Sequence, residues 1–326
     1  MYDPDDISSD KYQQGYDDGP ELFAGGLAFE DPRHRATILG FIVKGAIPLK
    51  FTYTGSGAWT HDALAKSGPY KYVVGSVRLE AAILQAIKSR PKQVVDVGPG
   101  NGQHTQALFT KLAKGGYESE RYLGLDFSRT LLEIAVARIS STMPGEPLVT
   151  IGQWDIEHGS TDQIEDWRVG EDPVLVCVLG QTLGNVENPA DVLADLRQSL
   201  RTGDLLLLGL APCSPSRSPE TYLASYRSSV FRRAALEPLR MVGMDLSQID
   251  FRLRYEDDTV IADAVLLQGV TVDGTTLERG HVVRCFLSRR FQPQAAVALL
   301  QRGGWSTWRA ELDDPGDHFA VLAVKD

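Results

Sequence analysis

Three glycines spaced two apart, Gly98, Gly100 and Gly102, end the apolar start of VVDVGPGNGQHT and leave the backbone bare at a strand-to-helix turn. With no side chain in the way, a ligand can approach the backbone N–H groups, and the third glycine lets helix and strand pack closely. Dinucleotide-binding turns read GxGxxG. Here Gln103 stands at the last glycine position, which disfavours a hydride-transfer cofactor. Two carboxylates extend the pattern. Asp126 closes RYLGLD, where it can accept both hydroxyls of a ribose, and Asp155 lies in QWDIE, where it can accept from an adenine amino group. A glycine turn and acids at successive strand ends point to an adenosine ligand.

Those residues need strands that end side by side. The runs VVDVG (94 to 98), RYLGLD (121 to 126), LVTIG (148 to 152), PVLVCVLG (173 to 180) and DLLLLGL (204 to 210) alternate with the amphipathic stretches TQALFTKLAKG, SRTLLEIAVARISS and NPADVLADLRQSL. The β-α-β-α pattern predicts an α/β fold with a parallel, doubly wound sheet and helices on both faces. Ser128 and Asp191 are expected helix N-caps and Gly203 a helix stop. APCSPSRSPE breaks the alternation. After it come an apolar and basic helix (YLASYRSSVFRRAALEPLRMVG) and the strands VIADAVLLQGVTVDG and VVRCFLSRRF around a DG turn, before a helix (PQAAVALLQRGG) and two strands (WSTWRAEL, HFAVLAVK) resume the sheet. The expected organisation is an acidic flexible tail over 1–20, a helical section over 21–90, a nucleotide-type domain over 91–212, an insertion over 213–290 and the end of that domain over 291–326. The helical section and the insertion form a second lobe, and the cleft between lobes is the expected binding site.

Composition narrows the partner. Of 326 residues 43% are hydrophobic and 23% charged, no apolar run approaches the roughly 20 residues of a membrane span, and the net charge of −10 is spread without a basic stripe. A small molecule is expected rather than nucleic acid or membrane. The acidic start MYDPDDISSD has no hydrophobic segment, so a cytoplasmic location is the expectation. Cys177, Cys213 and Cys285 show no metal or disulfide spacing, and no metal is expected.

VVDVGPGNGQHT, YLGLDFS and WDIE resemble the nucleoside-binding motifs of class I S-adenosylmethionine-dependent methyltransferases. VLGQTLGNVENPADVLADLRQSLRTGDLLLLGL is similar to the signature of the histidine-specific, ergothioneine-type Nα-methyltransferases, and IPLKFTYTGSGAWTHDALAKSGPYKY and ETYLASYRSS extend the resemblance from about Ile47. It implies a Rossmann-like sheet, S-adenosylmethionine as cofactor with S-adenosylhomocysteine as product, and cofactor contacts from Asp96, Gly98, Gly100, Gly102, Thr105, Asp126, Phe127, Ser128, Asp155, Ile156, Gln181 and Thr182. It also implies that Tyr53, Tyr70, Asn185 and Tyr226 line the amino-acid pocket, with Asn185 holding the substrate amine. Read without the resemblance, the tyrosines are core residues and Asn185 a turn residue.

Departures from the family pattern redirect the substrate. Where the family has GExIxTExSxKF, this chain reads GHVVRCFLSRRF, which places Phe286 at the imidazole-gripping glutamate and keeps Ser288. An imidazole loses its charged acceptor there, and an aromatic face takes its place. The expected substrate is a small aromatic amino-acid derivative, foremost an indole of a tryptophan derivative or cyclic dipeptide methylated at carbon 3 or nitrogen, as in secondary metabolism. The alternatives are amino-acid Nα-methylation, of histidine or tryptophan, and a non-catalytic cofactor-binding protein. Asp263, Glu237 or a tyrosine is the expected base for an indole, although a surface carboxylate is the ordinary reading of each acid. His61 and His104 lie within the motif regions with no partner to identify a role, and Arg232–Arg233 and Arg289–Arg290 read as solvated faces. A homodimer is left open.

Overall fold

The structure is a computed structural model that describes residues 33–66, 77–88, 90–140, 147–214, 216–314 and 316–326. The tail expected over 1–20 and Tyr70 lie outside the described residues.

Seven strands form the main sheet. They are β1 (Gln93–Val97), β2 (Arg121–Asp126), β3 (Leu148–Gln153), β4 (Val174–Val178), β5 (Leu205–Leu210), β11 (Trp305–Leu312) and β12 (Phe319–Lys325), in the order β11-β12-β5-β4-β1-β2-β3. The five strands from β1 to β5 are parallel, but β12 enters between β5 and β11 antiparallel to both. The sheet is therefore mixed rather than wholly parallel. β12 follows β11 through a short loop, and a loop of that length supports only antiparallel pairing.

The apolar runs are continuous because both faces are covered. Val95, Val176, Leu206 and Leu208 pack into one hydrophobic cluster with Leu193, Leu300 and Trp305, whereas Val94, Leu175, Cys177 and Leu207 pack into another with Leu84, Leu108 and Leu112. Ser128 caps the helix Arg129–Ser140 through Leu131 N. Asn188, not Asp191, caps the helix Pro189–Gln198, its side chain accepting from Ala190 N. That helix stops at Ser199, and Gly203 (φ 92°) belongs to the turn before β5.

A third cluster forms the second lobe. It joins the N-terminal helices Arg33–Val43 and Ser56–Lys66 to an antiparallel sheet of β6 (Ile249–Glu256), β7 (Thr259–Leu266) and β10 (Val282–Arg289). A hairpin of β8 (Val270–Val272) and β9 (Thr275–Leu277) turns at Asp273–Gly274, both with positive φ. The insertion leaves and rejoins the main domain at one point, where Pro212 and Phe291 pair in an isolated bridge. Its expected single helix is three, Pro219–Ala224, Ser229–Ala235 and Glu237–Met241. Ser228 caps the second through Phe231 N, and Pro238 in the third lacks the N–H that a continuous helix needs.

Among the described residues no helix is long and apolar enough to cross a membrane.

Candidate active site at the carboxyl ends of the strands

A cavity opens where β1, β2, β3 and β4 end, between the main sheet and the second lobe. Tyr53, Asp96, Gly98, Gly100, Thr105, Asp126, Phe127, Asp155, Ile156, Thr182 and Asn185 contribute to its wall.

The three glycines do different things. A Cβ on Gly98 (φ +68°) would come within 2.6 Å of Thr182 Cγ2, so this glycine admits the loop after β4. On Gly102 (φ +73°) a Cβ would meet Ala135 Cα at 2.9 Å, so its freedom serves packing against the neighbouring helix, not against a strand. Gly100 (φ +55°) has open space instead, with only His61 Nε2 near, at 3.7 Å. Of the three, Gly100 offers a ligand the bare backbone.

Two acids under this loop carry an unfavourable burial. Asp96 accepts from Thr105 and from Tyr122 (2.9 Å), yet burial pushes its pKa up to about 6. Asp126 accepts from Ser128 N at 2.9 Å and Gly100 N at 3.4 Å, and burial pushes it up to about 7 against those bonds. A carboxylate at the cavity wall that is so poorly solvated gains from any neutral donor that reaches it.

Asn185 sits on the 3-10 turn Thr182–Asn185 after β4. Its Oδ1 is buried and has no hydrogen-bond partner. The open face of Gly100 and the Asp126 carboxylate fit a ligand that brings neutral hydroxyl donors to the strand ends, and the orphaned Asn185 acceptor offers a further place for a donor in the same cavity.

The sequence pattern of the histidine-specific, S-adenosylmethionine-dependent methyltransferases matches residues 44–326. The chain belongs to that family. It is a methyltransferase and uses S-adenosylmethionine. Solved structures similar to this methyltransferase include a magnesium protoporphyrin IX methyltransferase from Synechocystis PCC 6803, 15% identical with a TM-score of 0.46 over 85% of this chain and 98% of that one. CalS10, an amino pentose methyltransferase from Micromonospora echinaspora, is 14% identical with a TM-score of 0.40 over 82% of this chain and 96% of that one. A comparison with curated protein sequences finds no match.

Several expected site residues of the methyltransferase are not at the cavity. Gln181 holds a left-handed backbone (φ 73°), and its amide bonds Arg289 O and Ala211 N, which ties the loop after β4 to the insertion. Ser128 is a helix cap under Asp126. Glu237 is buried against Ser56 Oγ (2.6 Å) and Arg240. Burial raises its pKa, but the bonds from Arg240 and Ser56 outweigh burial and hold it below the ordinary carboxylate range. Asp263 lies on β7 and receives Arg254 Nε at 2.7 Å. Neither acid faces the cavity, so neither stands as a base there.

Tyr226, Phe286 and Ser288 gather inside the second lobe instead. The Tyr226 ring lies 5.4 Å from Phe286, which meets Phe231 edge-on at 4.8 Å, and the Tyr226 hydroxyl donates to Ser288 Oγ at 3.4 Å. Arg289 and Arg290 are not a solvated face. Arg290 donates to the Tyr226 hydroxyl at 2.8 Å, and Arg289 to Val186 O at 3.1 Å. Arg232 and Arg233 are exposed.

Three cavity residues had no assigned role in the sequence. Lys50 reaches Asp155, His61 lies edge-on to Tyr53 at 4.6 Å between ring centres, and His104 opens the helix Gln103–Ala113. Burial lowers both histidines to a pKa of about 4, so each is neutral near pH 7. For His61 and Lys50 the only signal in the sequence was their place in the stretch similar to the family. Among the described residues no His, Cys, Asp or Glu cluster is arranged to hold a metal.

Proposed function

We propose that this methyltransferase methylates the amine of an aromatic amino acid or a close derivative. The observation that carries the reading is Asn185, whose buried, unpartnered Oδ1 shares a cavity with the glycine loop. A buried acceptor left unmatched costs about 1–3 kcal/mol, and an incoming amine N–H recovers it. Tyr53 in the same wall orients the amine from a second direction.

The cofactor residues follow the strand ends. Gly98, Gly100 and Thr105 hold the loop, Asp126 accepts the ribose hydroxyls, and Asp155, Ile156 and Phe127 flank the adenine. When bound, S-adenosylmethionine supplies an electrophilic methyl group on a sulfonium sulfur. The chain's own task is to bring a neutral amine into line and keep water out, which Leu49, Phe127, Leu179 and Val186 in the wall support. Neutral His61 beside Tyr53 can accept a hydrogen bond from the amine N–H without placing a charge in the cavity.

The preference for an aromatic side chain over an imidazole rests on the sequence, where Phe286 stands at the aligned position and no carboxylate does; its ring packs with Tyr226 and Phe231 inside the second lobe, away from the cavity. The same substitution favours a second reading, methylation of an indole ring. Against it stand Asp263 and Glu237, the expected bases, which pair with Arg254 and Arg240 away from the cavity.

Incubation with cofactor carrying a carbon-13 methyl group, over a panel of free amino acids, indoles and tryptophan cyclic dipeptides, separates the two. A new N-methyl resonance on an aromatic amino acid is expected. A methyl on indole carbon 3 with the amine untouched overturns the amine reading, and turnover of none of the panel argues for binding without catalysis.

A further inference from the structure

Behind the cavity wall, Glu80, His104 and His318 form a buried group that the assignments above leave unused. Glu80 lies on the helix Arg78–Gln85, is fully buried, bonds His318 Nε2 and has His104 Nε2 at 4.0 Å. Its other oxygen, Oε2, has no partner. His104 is more than nine-tenths buried, and neither ring nitrogen has a hydrogen-bond partner. Its Nδ1 is directed towards the end of β4, 3.9 Å from where a Cβ on Gly180 would stand. A polar ring with both nitrogens idle, at the wall of a cavity, is a group waiting for a ligand atom.

The order of the strands says which ligand atom. The sheet runs β4-β1-β2-β3 across the cavity, with Asp126 at the end of β2 and Asp155 after β3. With the nucleoside on β2 and β3, as proposed above and on which this inference rests, the amino-acid end of the cofactor falls on β1 and β4, where His104 and Gly180 lie. That end carries a carboxylate and an ammonium group. A neutral imidazole grips a carboxylate weakly, but a protonated one grips it as an ion pair.

We propose that His104, backed by Glu80 and His318, holds the α-carboxylate of the bound cofactor and takes up one proton from solvent as it does so. Nδ1–H then donates to the ligand carboxylate and Nε2–H faces Glu80, so the cation lies between two anions. Before the ligand arrives, burial outweighs Glu80 and the nearby His318 lowers the ring further, which keeps it neutral. The other titratable groups packed around Glu80 and the glycine loop include Asp96 on β1, Tyr122 and Asp126 on β2, Cys177 on β4, His61 beside Gly100, and Asp62, which accepts from Asn101 Nδ2. Asp96 is bonded to Thr105 and Tyr122, and burial holds Tyr122 and Cys177 protonated at neutral pH.

Calorimetric titration in buffers of different ionisation enthalpy tests the idea with two ligands, S-adenosylhomocysteine and S-adenosyl-3-thiopropylamine, which keeps the amine and lacks only the carboxylate. Proton exchange at Asp126 is common to both, so the difference between them isolates His104. At pH 7.5 we expect S-adenosylhomocysteine to take up about one proton more, and its advantage in affinity to fall about tenfold per pH unit above neutrality. The His104→Gln variant is expected to lose both the extra proton and the advantage. Equal proton uptake by the two ligands in the wild-type protein, which needs no variant to fold, overturns the proposal, as does an extra proton that survives in His104→Gln. The orientation fails separately: Asp126→Ala leaving both affinities unchanged removes the nucleoside from β2, whereas both affinities falling with equal proton uptake condemns His104 alone.

Discussion

Lys50 Nζ lies 2.6 Å from Asp155 Oδ2 and 3.5 Å from Glu157 Oε2. The lysine belongs to the 3-10 turn Leu49–Tyr53 of the second lobe and the carboxylates to the chain after β3, so one ion pair spans the cleft beside the expected adenine position. Asp155 is nearly buried, and removal of its partner leaves an uncompensated charge. Lys50→Met is expected to cost about 2–4 kcal/mol in chemical denaturation and to weaken S-adenosylhomocysteine binding. Lys50→Arg should recover most of the stability.

Gly100 and Gly102 should respond oppositely to alanine. Gly102→Ala forces a Cβ to within 2.9 Å of the Ala135 backbone in a left-handed conformation and should cost about 2–4 kcal/mol of stability. Gly100→Ala meets no backbone and should cost only the left-handed strain, about 1–2 kcal/mol, while projecting a methyl into the cavity. Binding of the cofactor product should therefore weaken more per unit of lost stability in Gly100→Ala, measured by thermal unfolding and calorimetry on both variants.

Asp126 gives the unliganded protein a pH dependence opposite to that of a salt-bridged acid. Its pKa of about 7 in the fold lies above the ordinary value of 3.8, so the native state holds the proton more tightly. The associated stability is fully present below about pH 4 and is lost as pH rises through about 7. Asp126→Asn cannot titrate. The stability of the wild type relative to this variant should fall from about pH 4 to about pH 7 in denaturant midpoints and level off above that, and a difference that stays flat throughout would show the carboxylate to be well solvated.

Asn185→Ala removes the orphaned acceptor without touching the glycine loop. We expect kcat/KM for the amine substrate to drop by about 10- to 100-fold, from one lost hydrogen bond of about 1.5–3 kcal/mol, with the affinity for S-adenosylhomocysteine nearly unchanged.

The fold was most legible where burial makes the sequence uniform. RYLGLD coincides with β2, and the other four parallel strands fall within two residues of their apolar runs, because strands covered on both faces admit little else. β6 escaped notice: IDFRLRYE alternates charged and apolar residues on a half-solvated sheet, a weaker signal than a continuous run. The broken helix of the insertion was visible only at Pro238 and the Ser228 cap. At the site, Gly100 and Asp126 are expected from their places at strand ends, and Asn185 only from the resemblance to the family. Lys50, His61 and His104 could not be read there: Lys50 meets Asp155 105 positions away, His104 meets Glu80 and His318 only in the folded chain, and nothing in the sequence beyond the family resemblance ties His61 to the cavity. Asp263 and Glu237 lie away from the cavity, each held by an arginine close in sequence, Arg254 once β7 pairs with β6 and Arg240 one helical turn on.

In the proposed function the cavity at the strand ends receives the cofactor's nucleoside on Asp126. Calorimetric titration of S-adenosylhomocysteine into the wild type and Asp126→Ala tests it most directly. Loss of two hydrogen bonds to a charged acceptor should weaken binding by about 100-fold or more while the variant keeps its fold by circular dichroism. Equal affinity in the two proteins would contradict the account.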